Sequence, residues 1–199
     1  MQDDDLTASV LARLIREVKA RTGHEARILE IGAHEGAGTA SHIRTLVERE
    51  GVKPEEFVYY CQDLEHVPSQ AADLLGRMKG FDLARLKILS RSDASTVEGL
   101  EALAEHGPFD IVITKNVKTL FPVDRGTVSD PSRVGAAERT LQRIHDNTHD
   151  LLSDNGVMVD VMSRVESSDY REPRKAMWAA EKPVEHKDYV AKVYRKRPV

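Results

Sequence analysis

Short apolar runs alternate with amphipathic segments along most of the chain. Five runs predict buried strands: Ala26–Ile31, Phe57–Gln62, Leu86–Leu89, Phe109–Thr114 and Val157–Val161. Apolar residues between them recur at helical spacing, which predicts helices over Thr39–Glu50, Ser69–Lys79, Thr96–Glu105 and, in a longer segment, Val134–Leu151. Strands that alternate with helices predict parallel pairing with right-handed crossovers.

The two ends of the chain complete the predicted fold. Apolar residues from Leu6 to Val18 recur at helical spacing, and they predict an N-terminal helix within residues 1–24 that leads into the sheet. Near the other end, Lys187-Asp188 predicts the turn of a hairpin that continues into a strand at Tyr189–Tyr194. We therefore expect one α/β domain over residues 1–199. Its sheet is doubly wound, mostly parallel and seven-stranded, with helices on both faces and an antiparallel edge hairpin at the C-terminus.

Composition narrows the functional classes. The 199 residues are 40% hydrophobic and 31% charged, which suits a globular domain with its own core. A lone cysteine, Cys61, excludes an internal disulfide and favours the reducing cytoplasm. The acidic start is unlike a signal peptide, and no apolar run reaches the ~20 residues of a membrane span. A net charge of −4 makes nucleic acid an improbable partner.

Candidate chemistry lies where the first three strands end, since ligands of open α/β sheets bind beyond the carboxyl ends of the strands. Gly32 and Gly36 follow the first strand and would allow a tight turn that approaches a ligand closely. Asp63 follows the second strand, and its carboxylate could accept hydrogen bonds from two vicinal ribose hydroxyls. Asp93 follows the third strand and could accept from an adenine amine, or could instead cap a helix. Together these residues favour an adenosine-type ligand.

The stretch Ile28-Leu-Glu-Ile-Gly-Ala-His-Glu-Gly36 resembles motif I of the class I methyltransferases that use S-adenosylmethionine (SAM). The resemblance implies SAM as cofactor, with Glu30 holding the loop, Gly32 and Gly36 facing the methionine part, Asp63 at the ribose and Asp93 at the adenine. It also implies a cofactor-binding set made up of Glu30, Gly32, Ala33, His34, Gly36, Asp63, Leu64, Asp93, Ala94, Thr114, Lys115 and Asn116. His34 departs from the family, which usually has its middle glycine there, so it could narrow the methionine pocket or take part in catalysis.

The fourth strand, with Lys115-Asn116-Val117 after it, is similar to the corresponding motif of CheR-type methyltransferases. That similarity implies that Asn116 lines the pocket floor beneath the sulfonium. We take His34 and Asn116 as the candidate catalytic residues, because methyl transfer needs alignment and, for a protonated acceptor, a base. Lys115 and His145 are weaker candidates for the base. Trp178 and Tyr170 are expected on a helix near the acceptor side, where packing in the core is the favoured role for both.

Two other functions fit part of this pattern. The glycine spacing also occurs in NAD(P)-dependent short-chain dehydrogenases, although the chain lacks their Tyr-x-x-x-Lys pair. An inactive adenosine-binding protein would keep the same fold. The methyl acceptor stays open, with a small molecule or a protein side chain favoured over nucleic acid, and so does the oligomeric state. No metal site is predicted.

Overall fold

The structure is a computed structural model that describes residues 2–64, 66–89, 91–115, 131–163 and 173–198. Its helices are α1 (Gln2–Thr22), α2 (Ala37–Glu48), α3 (Ser69–Leu75), α4 (Val97–Ala104) and α5 (Pro131–Leu151). Its strands are β1 (Ala26–Ile31), β2 (Phe57–Gln62), β3 (Leu86–Ile88), β4 (Phe109–Lys115), β5 (Leu152–Ser163), β6 (Trp178–Ala180), β7 (Val184–His186) and β8 (Tyr189–Lys196).

The strands form one mixed sheet in the order β3-β2-β1-β4-β5-β8-β6, with β7 also paired to β8. The first five are mutually parallel, and β8 runs antiparallel to β5, β6 and β7. The doubly wound, mostly parallel fold with its C-terminal antiparallel hairpin is thereby confirmed. Because β1 lies between β2 and β4, the loop that follows β1 has strand ends on both sides.

Helices cover both faces of the sheet, which explains why β1, β2 and β4 are buried at nearly every position. One buried cluster joins the sheet to α1, α2 and α3. A second cluster on the opposite face includes Leu103 of α4 and Leu141, Ile144 and Leu151 of α5. No helix among the described residues combines the length and the apolar character that a membrane span requires.

The C-terminal half differs from the sequence prediction in three places. The strand β5 begins at Leu152, so Asn155-Gly156 lies within the strand, at an irregularity in its register with β4 between Phe109 and Ile111. The described strands number eight and not seven. Both β6 and β7 pair with β8, each along a different part of it, so the edge of β8 opposite β5 is paired at both ends. Trp178 belongs to β6 and not to a helix, although its expected role in the core is confirmed by an exposure of only 2%.

Candidate functional site

The turn after β1 is bonded directly to the end of β2. The backbone N–H groups of Gly32 and Ala33 both donate to the carbonyl oxygen of Gln62, each at 3.0 Å. Gly32 has a φ of 84°, in the left-handed region that costs glycine little. The chain therefore turns sharply at Gly32, and the ends of β1 and β2 are held together at the carboxyl edge of the sheet.

Gly36, the second glycine of the turn, is required by packing within the protein. Its φ is 94°, and a β-carbon there would lie 2.8 Å from both the backbone nitrogen of Ala71 and the carbonyl oxygen of Pro68. The start of α3 thus occupies the space that a side chain would need. This contact explains the glycine without a ligand, whereas the assignment of Gly36 to the methionine part of SAM stays a prediction.

The carboxylate of Asp63 joins the two loops of the site. One oxygen accepts the backbone N–H of His34 at 2.9 Å, and the other accepts that of His66 at 3.1 Å. The residue is only 1% exposed. The buried carboxylate of Asp63 thus fixes the loops after β1 and β2 to one another.

The side chain of His34 is exposed and lies against the segment after β2. Its backbone is left-handed, with a φ of 54°, and its ring stacks on that of His66 with 4.3 Å between the ring centroids. An uncommon conformation in a non-glycine residue persists only where its surroundings hold it, which here is done by Asp63 and His66. The ring of His34 is therefore positioned at the β2 side of the turn.

Two buried polar atoms beside this turn have no hydrogen-bond partner among the residues that the structure describes. They are Oε1 of Gln62, the last residue of β2, and Oγ of Ser92, in the loop after β3. The amide nitrogen of Gln62 donates to the carbonyl oxygen of Ser92, so the two side chains are neighbours. A buried polar atom without a partner costs about 1–3 kcal/mol, and a ligand with complementary groups would recover that energy.

Asp93 and Ala94, which follow Ser92, and Leu64, which follows Gln62 by two residues, differ in their surroundings. Asp93 accepts the backbone N–H of Ser95 at 2.9 Å and its hydroxyl at 2.7 Å, so its carboxylate shapes the turn before α4, whose own N-cap is Thr96. The adjacent Ala94 is buried, and its carbonyl oxygen accepts from the Asn147 side chain. Leu64, by contrast, is 44% exposed. An exposed apolar side chain two residues after Gln62 leaves an apolar surface near the end of β2 that a flat ligand could cover.

Glu30 lies beneath the turn in a buried network. Its carboxylate accepts the hydroxyl of Thr39 at 2.7 Å and that of Tyr59 at 3.0 Å, and Tyr59 is also 2.7 Å from Nε2 of His42. Burial and the neighbouring Glu30 charge raise the pKa of the Tyr59 phenol well above its ordinary value. The phenol therefore stays protonated and donates to Glu30, which ties β1 and β2 to the first turn of α2.

The last two residues of β4 have partners on opposite faces of the sheet. Thr114 donates to the carboxylate of Asp160, which is itself 3.3 Å from Nε2 of His145. Lys115 reaches α1, where its ammonium lies 2.6 Å from the carboxylate of Asp4. Burial opposes ionisation of Asp4, but the hydrogen bond and charge of Lys115 outweigh it and lower the pKa of Asp4. Asn116 lies outside the described residues.

Comparison with solved structures identifies the fold. A candidate class I S-adenosylmethionine-dependent methyltransferase from Listeria monocytogenes matches all of this chain over 61% of its own length, with a TM-score of 0.59 and 15% identity. The N-methyltransferase NodS from Bradyrhizobium japonicum WM9 matches with a TM-score of 0.52 and 13% identity, over 96% of each chain. A candidate methylase from Haemophilus influenzae has the same score and identity, over the whole of both chains. The chain has the class I methyltransferase fold.

No protein-family model matches the sequence, and no curated protein matches it at a significant level. At identities of 13–15% these structural likenesses establish the methyltransferase fold and leave the activity to be argued from the site. The resemblance that the sequence predicted is confirmed at the level of this fold.

The methyltransferase fold brings most of the predicted residues to one edge of the sheet, but not all of their side chains face the same space. The side chains of His34, Asp63 and Leu64 lie at the turn that Gly32 begins, whereas that of Glu30 is buried below it. Lys115 and His145, the two weaker candidates for a base, are 9% exposed or less and each lies against a carboxylate.

Sequence reasoning missed Gln62 and Ser92, whose side chains carry the two unpartnered oxygen atoms, and His66, on which His34 stacks. Gln62 and Ser92 each directly precede one of the predicted acids, Asp63 and Asp93. Successive side chains of a strand point to opposite faces, so a polar residue before a strand-end acid is a signal that could have revealed them.

Proposed function

We propose that this protein binds SAM at the carboxyl edge of β1, β2 and β3 and transfers its methyl group to an acceptor. The observation that carries the proposal is the pair of buried, unpartnered atoms, Gln62 Oε1 and Ser92 Oγ, beside the left-handed turn at Gly32. Gln62 Oε1 can accept from the adenine amine and the Ser92 hydroxyl can donate to a ring nitrogen, which is the acceptor and donor pair that an adenine edge requires.

The other residues of the turn fit the rest of the cofactor. The carboxylate of Asp63, at the end of β2 beside the turn, would accept hydrogen bonds from the ribose hydroxyls. The exposed side chain of Leu64 would be covered by the adenine ring, with Asp93 and Ala94 at the ring's edge. Gly32 and Ala33 would run beside the methionine part, toward the ends of β4 at Thr114 and Lys115. Glu30 would act indirectly, because its contacts hold the turn and not a ligand.

SAM, when bound, supplies a methyl group that is already activated by its sulfonium, so the protein has mainly to align donor and acceptor. We infer that His34, which is exposed and fixed by Asp63 and His66, is the histidine available as a base for an acceptor that carries a proton. Asn116 follows Lys115 directly, and its role beneath the sulfonium stays a prediction. The acceptor would enter beyond β4 and β5.

An NAD(P)-dependent oxidoreductase and an inactive adenosine-binding protein are the two alternatives. Thermal unfolding with added ligand distinguishes the oxidoreductase from the proposed methyltransferase. A ligand held at about 100 times its Kd stabilises the folded state by about 2.7 kcal/mol. For a chain of this length that amounts to a rise in Tm of roughly 5–10 °C. We expect this rise with SAM and S-adenosylhomocysteine (SAH) and none with NAD. A rise with NAD alone would refute the proposal, and release of SAH from SAM in the presence of an acceptor would exclude the inactive alternative.

A further inference from the structure

A buried ion pair lies at the end of β4, on the face of the sheet that α1 and α2 cover. The ammonium of Lys115, the last residue of β4, is 2.6 Å from the carboxylate of Asp4 in the first turn of α1. The two side chains are only 9% and 8% exposed. The Asp4 carboxylate also accepts the hydroxyl of Ser41 on α2. Asp4 therefore joins the start of α1 to both β4 and α2 at the carboxyl edge of the sheet.

This ion pair lies directly against the helix that follows the glycine turn. A β-carbon on Gly38, in the first turn of α2, would be 3.4 Å from the ammonium nitrogen of Lys115 and 4.0 Å from the carboxylate of Asp4. The turn from Gly32 to Gly36 ends two residues before Gly38. Under the proposed function, the methionine part of SAM lies at this turn and points toward the end of β4. The Asp4 carboxylate is thus beside the place that the cofactor's own carboxylate would take.

The cofactor and Asp4 present the same chemical group to Lys115. The methionine part of SAM, like the homocysteine part of SAH, ends in a carboxylate, whose charge and geometry are those of an aspartate side chain. A charge-assisted hydrogen bond is about twice as strong as a neutral one, so an ammonium is the preferred partner of such a group. Two carboxylates at the same ammonium repel each other. A cofactor carboxylate that binds Lys115 must therefore replace Asp4.

We propose that Asp4 holds the place of the cofactor's carboxylate before the cofactor binds, and that SAM or SAH displaces it from Lys115 and opens the first turn of α1. The inference rests on the proposed function, since it assumes that the methionine part lies at the glycine turn. Because Asp4 is buried, its carboxylate reaches water only when that turn opens, and the end of a helix opens at little cost. The ammonium of Lys115 keeps an anionic partner throughout. Asp4 thus acts as an autoinhibitory group that weakens cofactor binding.

Removal of the Asp4 charge tests this competition. We expect Asp4→Asn to bind SAH about fivefold or more tightly than the wild type in calorimetry, because a neutral amide competes for Lys115 less strongly than a carboxylate. The affinity for 5′-methylthioadenosine, which has the adenosine and the thioether but no amino acid, should stay within about twofold of the wild type. Asp5→Asn is the matched control. Asp5 pairs with Arg49 at the surface, at 3.1 Å, and its variant should change neither affinity.

A second measurement uses the wild-type protein, so it does not depend on the folding of a variant. The amide groups of residues 6–8 donate to the first turn of α1 in an α-helical pattern. Their hydrogen exchange, followed by NMR, should become about threefold or more faster with SAH and stay unchanged with 5′-methylthioadenosine. Slower or unchanged exchange with SAH would overturn the proposal. So would an Asp4→Asn protein that binds SAH no more tightly than the wild type, because Asp4 would then not compete with the cofactor.

The same titrations separate this inference from the proposed function. Wild-type binding of SAH and 5′-methylthioadenosine without a gain in Asp4→Asn refutes the competition alone. Failure of the wild type and of Asp4→Asn to bind either ligand refutes the proposed function, and the competition with it.

Discussion

Replacing Asp63 with alanine is expected to lower the affinity for SAH about ten- to a hundredfold, measured by calorimetry. The carboxylate accepts the backbone N–H groups of His34 and His66, and under the proposed function it also binds the ribose. Hydrogen bonds to a charged group contribute about 1.5–3 kcal/mol, and about 1.4 kcal/mol corresponds to a tenfold change in Kd. The loss of even one such bond would give an effect in this range.

The control for this prediction is Asp73→Ala, on α3, whose side chain is exposed. It removes the same charge from the same part of the chain without touching the turn, and we expect unchanged affinity. Circular dichroism and thermal unfolding must first show that Asp63→Ala is folded. A folded Asp63→Ala protein that binds SAH as tightly as the wild type would move the ribose contact to another residue.

Replacing Gly36 with alanine is expected to destabilise the protein by about 2–5 kcal/mol. A left-handed backbone costs a residue with a β-carbon about 1–2 kcal/mol, and overpacking adds about 1–3 kcal/mol. The added carbon would lie under 3 Å from Ala71 and Pro68, which are backbone contacts at the start of α3 and cannot rotate away. For a protein of this size we expect Tm to fall by roughly 4–20 °C.

The variant Gly80→Ala separates the cost of the left-handed backbone from the cost of overpacking. Gly80 has a φ of 83°, close to that of Gly36, but no atom lies within 4 Å of the position that its β-carbon would take. Its variant should carry only the backbone cost of about 1–2 kcal/mol. Equal losses of stability in the two variants would show that the contact with α3 contributes nothing, contrary to the packing described here.

The parallel half of the fold could be predicted because each strand is a short apolar run closed by a turn residue. The bounds of β1 and β2 match their predicted ranges. Both faces of these strands are covered by helices, so almost every position is buried and most are apolar, which makes the signal strong. The pairing of β4 with β1 agrees with the strand order typical of doubly wound sheets.

The far edge of the sheet could not be predicted in the same way. Strand β6 has three residues, too few to show a period of two, and its pairing with β8 depends on contacts between distant parts of the chain. Asn155-Gly156 has the composition of a hairpin turn, yet the pairing with β4 draws it into β5. Tertiary pairing thus overrides the local preference of the turn residues.

The sequence could indicate where the residues of the candidate site lie in the fold, but not which groups they form hydrogen bonds with. The acids after β2 and β3 follow from their place at strand ends. The bonds from His34 and His66 to Asp63 depend on how two loops meet, and the network around Glu30 depends on the approach of α2 to the sheet. None of these contacts leaves a spacing pattern in the chain.

The most direct test of the central claim is a crystal structure of the protein grown with SAH. The account predicts the ribose hydroxyls within hydrogen-bond distance of the Asp63 carboxylate, and the adenine against Leu64 with its edge at Gln62 Oε1 or Ser92 Oγ. It also predicts the homocysteine part beside Gly32. SAH bound elsewhere, or a turn without ligand at SAH concentrations that saturate class I methyltransferases, would contradict it.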